Sequence, residues 1–205
     1  MELTSLTPEH ARQAAEIHAE GQSGTFLTRL GLDFLTTLYA AMPESPWTFG
    51  RVVMDGETVA AVGVVAVDTD QFFRDVKRRH WLRLGWAVAR QVLRDPSLIS
   101  YIIQSVRYPS KLAPAPDEAE VMFLGTRRAY SRQGIGPKLL LDVLNEAHQR
   151  GCSSATAIID RRNRPIRWMI ALLPGVHIDR EIEMYGRTML VYRVALPLDE
   201  AALPQ

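Results

Sequence analysis

Between residues 127 and 136 the chain reads Arg127-Arg128-Ala129-Tyr130-Ser131-Arg132-Gln133-Gly134-Ile135-Gly136, a basic stretch that closes on two glycines. An apolar run from Glu120 to Thr126 precedes it. Ile135, Leu139, Leu140, Val143, Leu144 and Ala147 follow at helical spacing over Gly134 to Arg150, with Gly151 as the C-cap. The first amides of a helix lack partners inside it and sit at the positive end of its dipole, and glycines let an anion come close to the backbone. Strand, basic glycine turn and helix therefore make an anion site, and a pyrophosphate is its natural ligand. The dinucleotide fingerprint would need a third glycine where Leu139 stands, and the P-loop would need Gly-Lys-Ser/Thr, so neither matches.

Other chemistries find less support. His10, His18, His80, His148 and His177 are scattered, with no pair at the spacing that sets two ligands on one helix face, so no metal is expected. Cys152 is the only cysteine, which excludes an internal disulfide; following a glycine at a helix end, it reads as a small buried residue. No apolar run reaches the ~18 residues of a membrane span, and Glu2 with a helix-start signal replaces a basic leader. The expectation is a soluble, cytoplasmic protein with no transmembrane segment.

The elements around the loop follow from pattern. At 205 residues one domain over 1–205 is expected. A strand at Leu3 to Leu6 leads through Thr7-Pro8-Glu9 into a helix that Gly21 to Gly24 breaks. Leu27, Leu30, Phe34, Leu38 and Met42 predict a second helix over Thr28 to Met42, ended by Pro43 and Pro46. Valine-rich strands at Thr48 to Met54 and Thr58 to Val67 are joined by Asp55-Gly56 as a hairpin. A strand at Ala155 to Ile159, a short helix at Pro165 to Leu172 and closing strands near Val176 to Met184 and Thr188 to Ala195 complete a mixed order.

Residues 70–116 stand apart. They carry nine Lys and Arg against three Asp and Glu, while the chain as a whole is only +1. Helical pattern runs from Asp70 to Tyr108, with Trp81, Leu84, Gly85, Val88 and Val92 in one stripe, arginines around it, and Pro96, Pro109, Pro114 and Pro116 as punctuation. Packing of that stripe onto the domain is the first reading; contact with an anionic substrate or partner and binding to a membrane surface are the others. No nucleic-acid recognition motif accompanies the basic segment, so nucleic acid is not an expected partner.

Ser131-Arg132-Gln133-Gly134-Ile135-Gly136 resembles the Gln/Arg-x-x-Gly-x-Gly/Ala motif of the GNAT (Gcn5-related N-acetyltransferase) acyltransferases, with Ser131 in place of the first Gln or Arg. The element order agrees over most of the chain, the 70–116 insertion excepted. The resemblance implies an α/β (α+β mixed) GNAT fold: a central mixed sheet of six to seven strands flanked by helices, with a helical insertion between the third and fourth strands. It implies an acyl-CoA-dependent N-acyltransferase that takes acetyl from acetyl-CoA and passes it to a primary amine by direct attack, the alternative being a non-catalytic acyl-CoA sensor. The acceptor expected is a small-molecule amine, with a protein acceptor and a homodimer both compatible.

By the same resemblance Leu124 and Thr126 would pair with the pantetheine arm, and the loop amides from Gln133 to Gly136 would take the pyrophosphate, with Ser131 and Arg132 beside them. Asn163 resembles the start of the family's Asn-x-x-Ala segment along the cofactor, with Ile166 at the alanine position. Glu120, fourteen residues before Gly134, falls where some members hold a general-base glutamate; burial there would raise its pKa. The competing reading makes Glu120 part of a solvated acidic strand start with Asp117 and Glu118. The family's acid tyrosine, seven residues after the asparagine, is replaced by Ile170, which leaves Tyr185 as a substitute. Packing is the competing role for Tyr185, as for Tyr192.

Overall fold

The structure is a computed structural model, and it describes residues 1–106, 115 and 117–198. Strand β1 (Glu2–Ser5) leads through a 3-10 turn at Pro8–His10 into α1 (Ala11–Gly21), followed by α2 (Phe26–Arg29), α3 (Leu32–Ala41), β2 (Thr48–Asp55) and β3 (Thr58–Ala66). Next come α4 (Thr69–Arg94), α5 (Leu98–Val106), β4 (Glu118–Thr126), α6 (Ile135–Gln149), β5 (Ser154–Asp160), α7 (Arg164–Ile170), β6 (His177–Met184) and β7 (Arg187–Ala195). The strands form one mixed seven-stranded sheet in the order β1-β2-β3-β4-β5-β7-β6.

Helices cover both faces of the sheet. Val59, Val62 and Val64 of β3 pack with α1, α3 and the start of α4, while Ala61 and Val65 face the other way, onto α6. Almost every residue of β3 is buried, as a strand covered on both faces must be. The edge strand β6 is instead exposed and charged, a composition that discourages pairing with a foreign strand.

Three expectations change. The helix foreseen over Thr28 to Met42 is two helices, because Gly31 takes φ +93 between them; the leucine spacing survives the break and hides it. The β2–β3 turn is Gly56-Glu57, with Asp55 paired to Thr58, one residue later than foreseen. In the insertion, Asp68 caps α4 by accepting from the Gln71 amide at 2.8 Å, and α5 starts after Pro96. Trp81 and Gly85 of the foreseen packing stripe are exposed, while Leu84, Val88 and Val92 are half-buried. Tyr108, Pro109, Pro114 and Pro116 lie outside the described residues.

Under α1, His18 is buried, stacks on Phe123 with ring centroids 4.4 Å apart, and shares a 2.9 Å hydrogen bond between Nδ1 and the Tyr39 hydroxyl. Its Nε2 has no partner among the described residues. Burial lowers its pKa from 6.5 to about 4, so the neutral ring is the native form. Because the folded value is depressed, the stability it contributes is complete above pH 6.5 and lost as pH falls towards about 4. The loss should reach about 3 kcal/mol. Urea unfolding between pH 7 and pH 4 should show this dependence in the wild type, and His18→Gln should flatten it.

Candidate active site

The site is made by a ladder that stops. Strands β4 and β5 run parallel and pair at Glu118 with Ser154, Ala119 with Ala155 and Glu120 with Thr156, and no further. Beyond that rung β4 continues on β3 to Thr126, and β5 continues on β7 to Asp160. The two strands part into a cleft whose facing edges carry backbone donors and acceptors without ladder partners, the arrangement that accepts an extended ligand as if it were a strand.

A bulge sets which side chains face where. The register of β4 on β3 shifts so that Val64 opposes Phe123 and Val65 opposes Val121, leaving Met122 as the extra residue. Met122 and Phe123 consequently both join the α1–α3 core, whereas Val121 and Leu124 pack on the α6 side. The phase change also carries Thr126 to the α6 side, where its Oγ1 lies 3.6 Å from the point a Gly136 Cβ would occupy.

At the far end of β4 the loop is held from several directions. The Arg127 amide donates to the Ala60 carbonyl at 2.8 Å, and its guanidinium donates to the Val59 carbonyl at 3.2 Å and pairs with Glu16 at 3.4 Å. The Arg128 amide donates to Glu20 at 3.3 Å, and the Tyr130 hydroxyl donates to Asp55 at 2.8 Å, which raises the Tyr130 pKa. After a 3-10 turn at Arg128–Tyr130, Arg132 and Gly134 take left-handed φ of 64° and 73°. Ser131, Arg132, Gln133 and Gly134 are exposed, Ile135 is buried beneath them, and no side chain caps α6. Since Pro137 has no N–H, the leading amides of α6 belong to Gly134, Ile135 and Gly136. A side chain at Gly136 would meet the Met169 sulfur of α7 at 3.3 Å, so the loop, the end of β4 and α7 converge there.

Glu120 occupies the last shared rung. It is half-buried, and its Oε2 accepts from the Thr69 hydroxyl at 2.7 Å, at the first residue of α4. Its pKa is raised: burial is the largest cause, the Thr69 hydrogen bond opposes it, and the charges of Glu118 and Asp70 add to it. The solvated acidic start does not form. Glu118 is buried and salt-bridged to Arg193 at 2.7 Å, and Asp117 accepts from the Ser153 hydroxyl.

Asn163 caps α7, its Oδ1 accepting from the Ile166 amide at 3.5 Å. Ile170 is buried in the core at the position of the family's acid tyrosine. Tyr185 stands at the β6–β7 hairpin tip with φ 52 before Gly186 at φ 70, the paired positive φ of a two-residue hairpin turn. Its ring packs on Phe26 at 5.2 Å and Tyr101 at 5.8 Å, so the hairpin meets α2 and α5. Arg187 fastens the same corner, pairing with Asp160 at 3.2 Å and donating to the Gly24 carbonyl at 3.3 Å. Tyr192 is buried and its hydroxyl accepts from Arg167 at 3.1 Å.

Two features here escape sequence reasoning. The bulge at Met122 has no signal, because the apolar run through Phe123 carries no alternation to break. Thr69 meets Glu120 across 51 residues, a pairing that local pattern does not show.

A mixed sheet with two parted parallel strands, and a helix start without a side-chain cap at the mouth of the gap, make a cleft suited to an extended, anionic ligand. The model of the Acetyltransferase (GNAT) family matches residues 33–167, and the chain belongs to that family. An N-acetyltransferase from Staphylococcus aureus Mu50 superposes with a TM-score of 0.63 at 16% identity, over 95% of this chain and 100% of its own. The yncA protein of Salmonella typhimurium, solved with its cofactor acetyl-CoA, gives 0.62 at 15% identity, over 100% of this chain and 98% of its own. The ribosomal-protein-S18-alanine N-acetyltransferase of Escherichia coli gives 0.56 at 12%, over 95% and 93%. At these identities the likeness is one of fold. No curated protein matches the chain in sequence.

The raised pKa of Glu120 fixes the sign of one outcome. Its protonated form is favoured in the fold, so the stability this allows is complete below about 4.5, its ordinary value, and is lost as pH rises through the folded value. Glu120→Gln should therefore raise the melting temperature at pH 7, and the gain should vanish on acidification below that value; a lower Tm at pH 7 would show that the charge is well solvated.

Proposed function

We propose that this chain is an acetyl-CoA-dependent N-acetyltransferase, one domain over its whole length with α4 and α5 as an insertion, that passes acetyl directly to a primary amine. The observation that carries the reading is that Glu120 stands at the last β4–β5 rung, while the leading amides of α6 at Gly134, Ile135 and Gly136, which no side chain caps, follow the other end of the same strand. Six residues of extended chain separate Glu120 from Thr126, a run of about 20 Å.

Under this reading the amides of Gln133 to Gly136 hold the pyrophosphate, with Ser131 and Arg132 at its rim, and the edge of β4 at Leu124 and Thr126 pairs with the pantetheine arm. Asn163, already occupied as a helix cap, contributes by positioning α7. Glu120 takes the proton from the attacking ammonium or amine, a task that suits a carboxyl with a raised pKa. The β4 amides near Leu124 and Gly125 polarise the thioester carbonyl. The C–S bond breaks as the C–N bond forms, and the thiolate leaves as a good leaving group that water can protonate. The seat of Tyr185 between Phe26 and Tyr101 supports packing as its role. A small-molecule amine is the acceptor proposed. The acceptor named for the Escherichia coli structure is instead an alanine of a ribosomal protein.

Calorimetric titration with acetyl-CoA and CoA is the direct test. Wild type should bind, and the double variant Gly134→Glu, Gly136→Glu, which sets carboxylates against the phosphates, should lose binding. Failure of wild type to bind would leave the fold without this function. With a panel of amines, Glu120→Gln should lower kcat by about a hundredfold or more while acetyl-CoA affinity is kept. Tyr185→Phe should retain kcat. Binding without transfer to any amine, in the wild type, would favour the acyl-CoA sensor.

A further inference from the structure

Helix α4 has two apolar sides. Its inner side rests on the body of the molecule: Phe72 and Val76 are buried, Leu84, Ala87 and Val88 are half-buried, and His80 and Arg90 reach Glu44 and Asp33 at 3.4 and 3.3 Å. On the outer side Leu82, Trp86 and Leu93 are 66, 68 and 84% exposed, and Trp81 beside them is 62% exposed. At 100° per residue the first three fall within a sector of about 40°. Arg79, Arg83, Arg90 and Arg94 form the adjoining row.

From Lys77 to Arg94 the helix has six Lys and Arg and no carboxylate. Arg78 and Arg79 reach Asp75, and Arg90 reaches Asp33, which leaves Lys77, Arg83 and Arg94 without an ion pair among the described residues. Helix α5 adds Ile99 and Ile103, both exposed. Single exposed apolar residues need no explanation, but Leu82, Trp86 and Leu93 in register, with Trp81 on one side and a row of cations on the other, do.

The charge decides the occupant. A second copy docked on the same face would bring two rows of arginine together. A nucleic acid would engage the arginines and leave Leu82 and Leu93 in water. A bilayer with anionic headgroups satisfies both components: arginines at the phosphates, tryptophans at the interface, leucines at the acyl boundary.

We propose that α4 is an interfacial helix that docks the protein on an anionic lipid surface with its axis in the membrane plane. No helix of the described residues is long and apolar enough to cross a membrane, so the contact is adsorption. Thr69, in contact with Glu120, begins this helix, so with the axis in the membrane plane docking holds that residue within about one helix diameter, ~10 Å, of the headgroups.

Flotation of the purified chain with phosphatidylcholine vesicles, with and without phosphatidylglycerol, tests this. Binding is expected only to the anionic vesicles and should weaken with added salt. The exposed-site variant Leu82→Ser, Trp86→Ser, Leu93→Ser should lose about tenfold in affinity per side chain, and Arg83→Gln, Arg94→Gln about fivefold per arginine. Circular dichroism and retained acetyl-CoA binding would show that both variants remain folded. Three results would each overturn the proposal: no preference for anionic vesicles; binding indifferent to both variants; or a dimer that the serine variant splits. Duplex DNA binding that exceeds vesicle binding and survives the serine variant would assign the face to nucleic acid and overturn it as well.

Discussion

Three rungs of parallel pairing between β4 and β5 are the constraint on which the site depends. A fourth rung would close the cleft; fewer than three would free β5 from the sheet on that side. The parting of the strands is enforced from outside: β4 is held along its length by β3, and β5 by β7, each in an antiparallel ladder that runs well past the last shared rung. Glu118, on the first of the three rungs, is locked by Arg193 at the closed end, two residue pairs before the strands separate. The cleft is thus a property of the sheet.

The two chemical ends of the cleft are supplied by different parts of the chain and kept apart by the stiffness of β4. At one end the loop is tied to α1 through Glu16 and Glu20 and to the β2–β3 turn through Asp55. At the other, α4 delivers the Thr69 hydroxyl to Glu120. Burial raises the carboxyl's pKa and the hydroxyl restrains that rise, so the insertion tunes the group it adjoins.

What the sequence discloses here is what is local. Residues 131 to 136 disclose the loop because residue type and spacing at a strand–helix junction are themselves the signal, and the seven strands are visible in their valine and alternation patterns. The break at Gly31 is hidden because Leu30, Phe34 and Leu38 keep helical spacing through it. Met122 is hidden because a uniformly apolar strand has no phase to lose. Trp81 falls in the foreseen packing stripe yet is exposed, since on a helix apolar on both sides a one-dimensional pattern does not say which side meets the core. Thr69 and Glu120 meet only once the sheet has formed.

Arg132 holds a left-handed backbone, φ 64, in the middle of the loop. Glycine would adopt that geometry freely, and a non-glycine residue there costs about 1 kcal/mol. The chain places its guanidinium where local folding preference argues for no side chain at all. Shape at this position could be kept, and even relaxed, by substitutions that erase the positive charge, so tolerance of the fold and tolerance of the function should diverge most sharply at a residue that is exposed and touches no core.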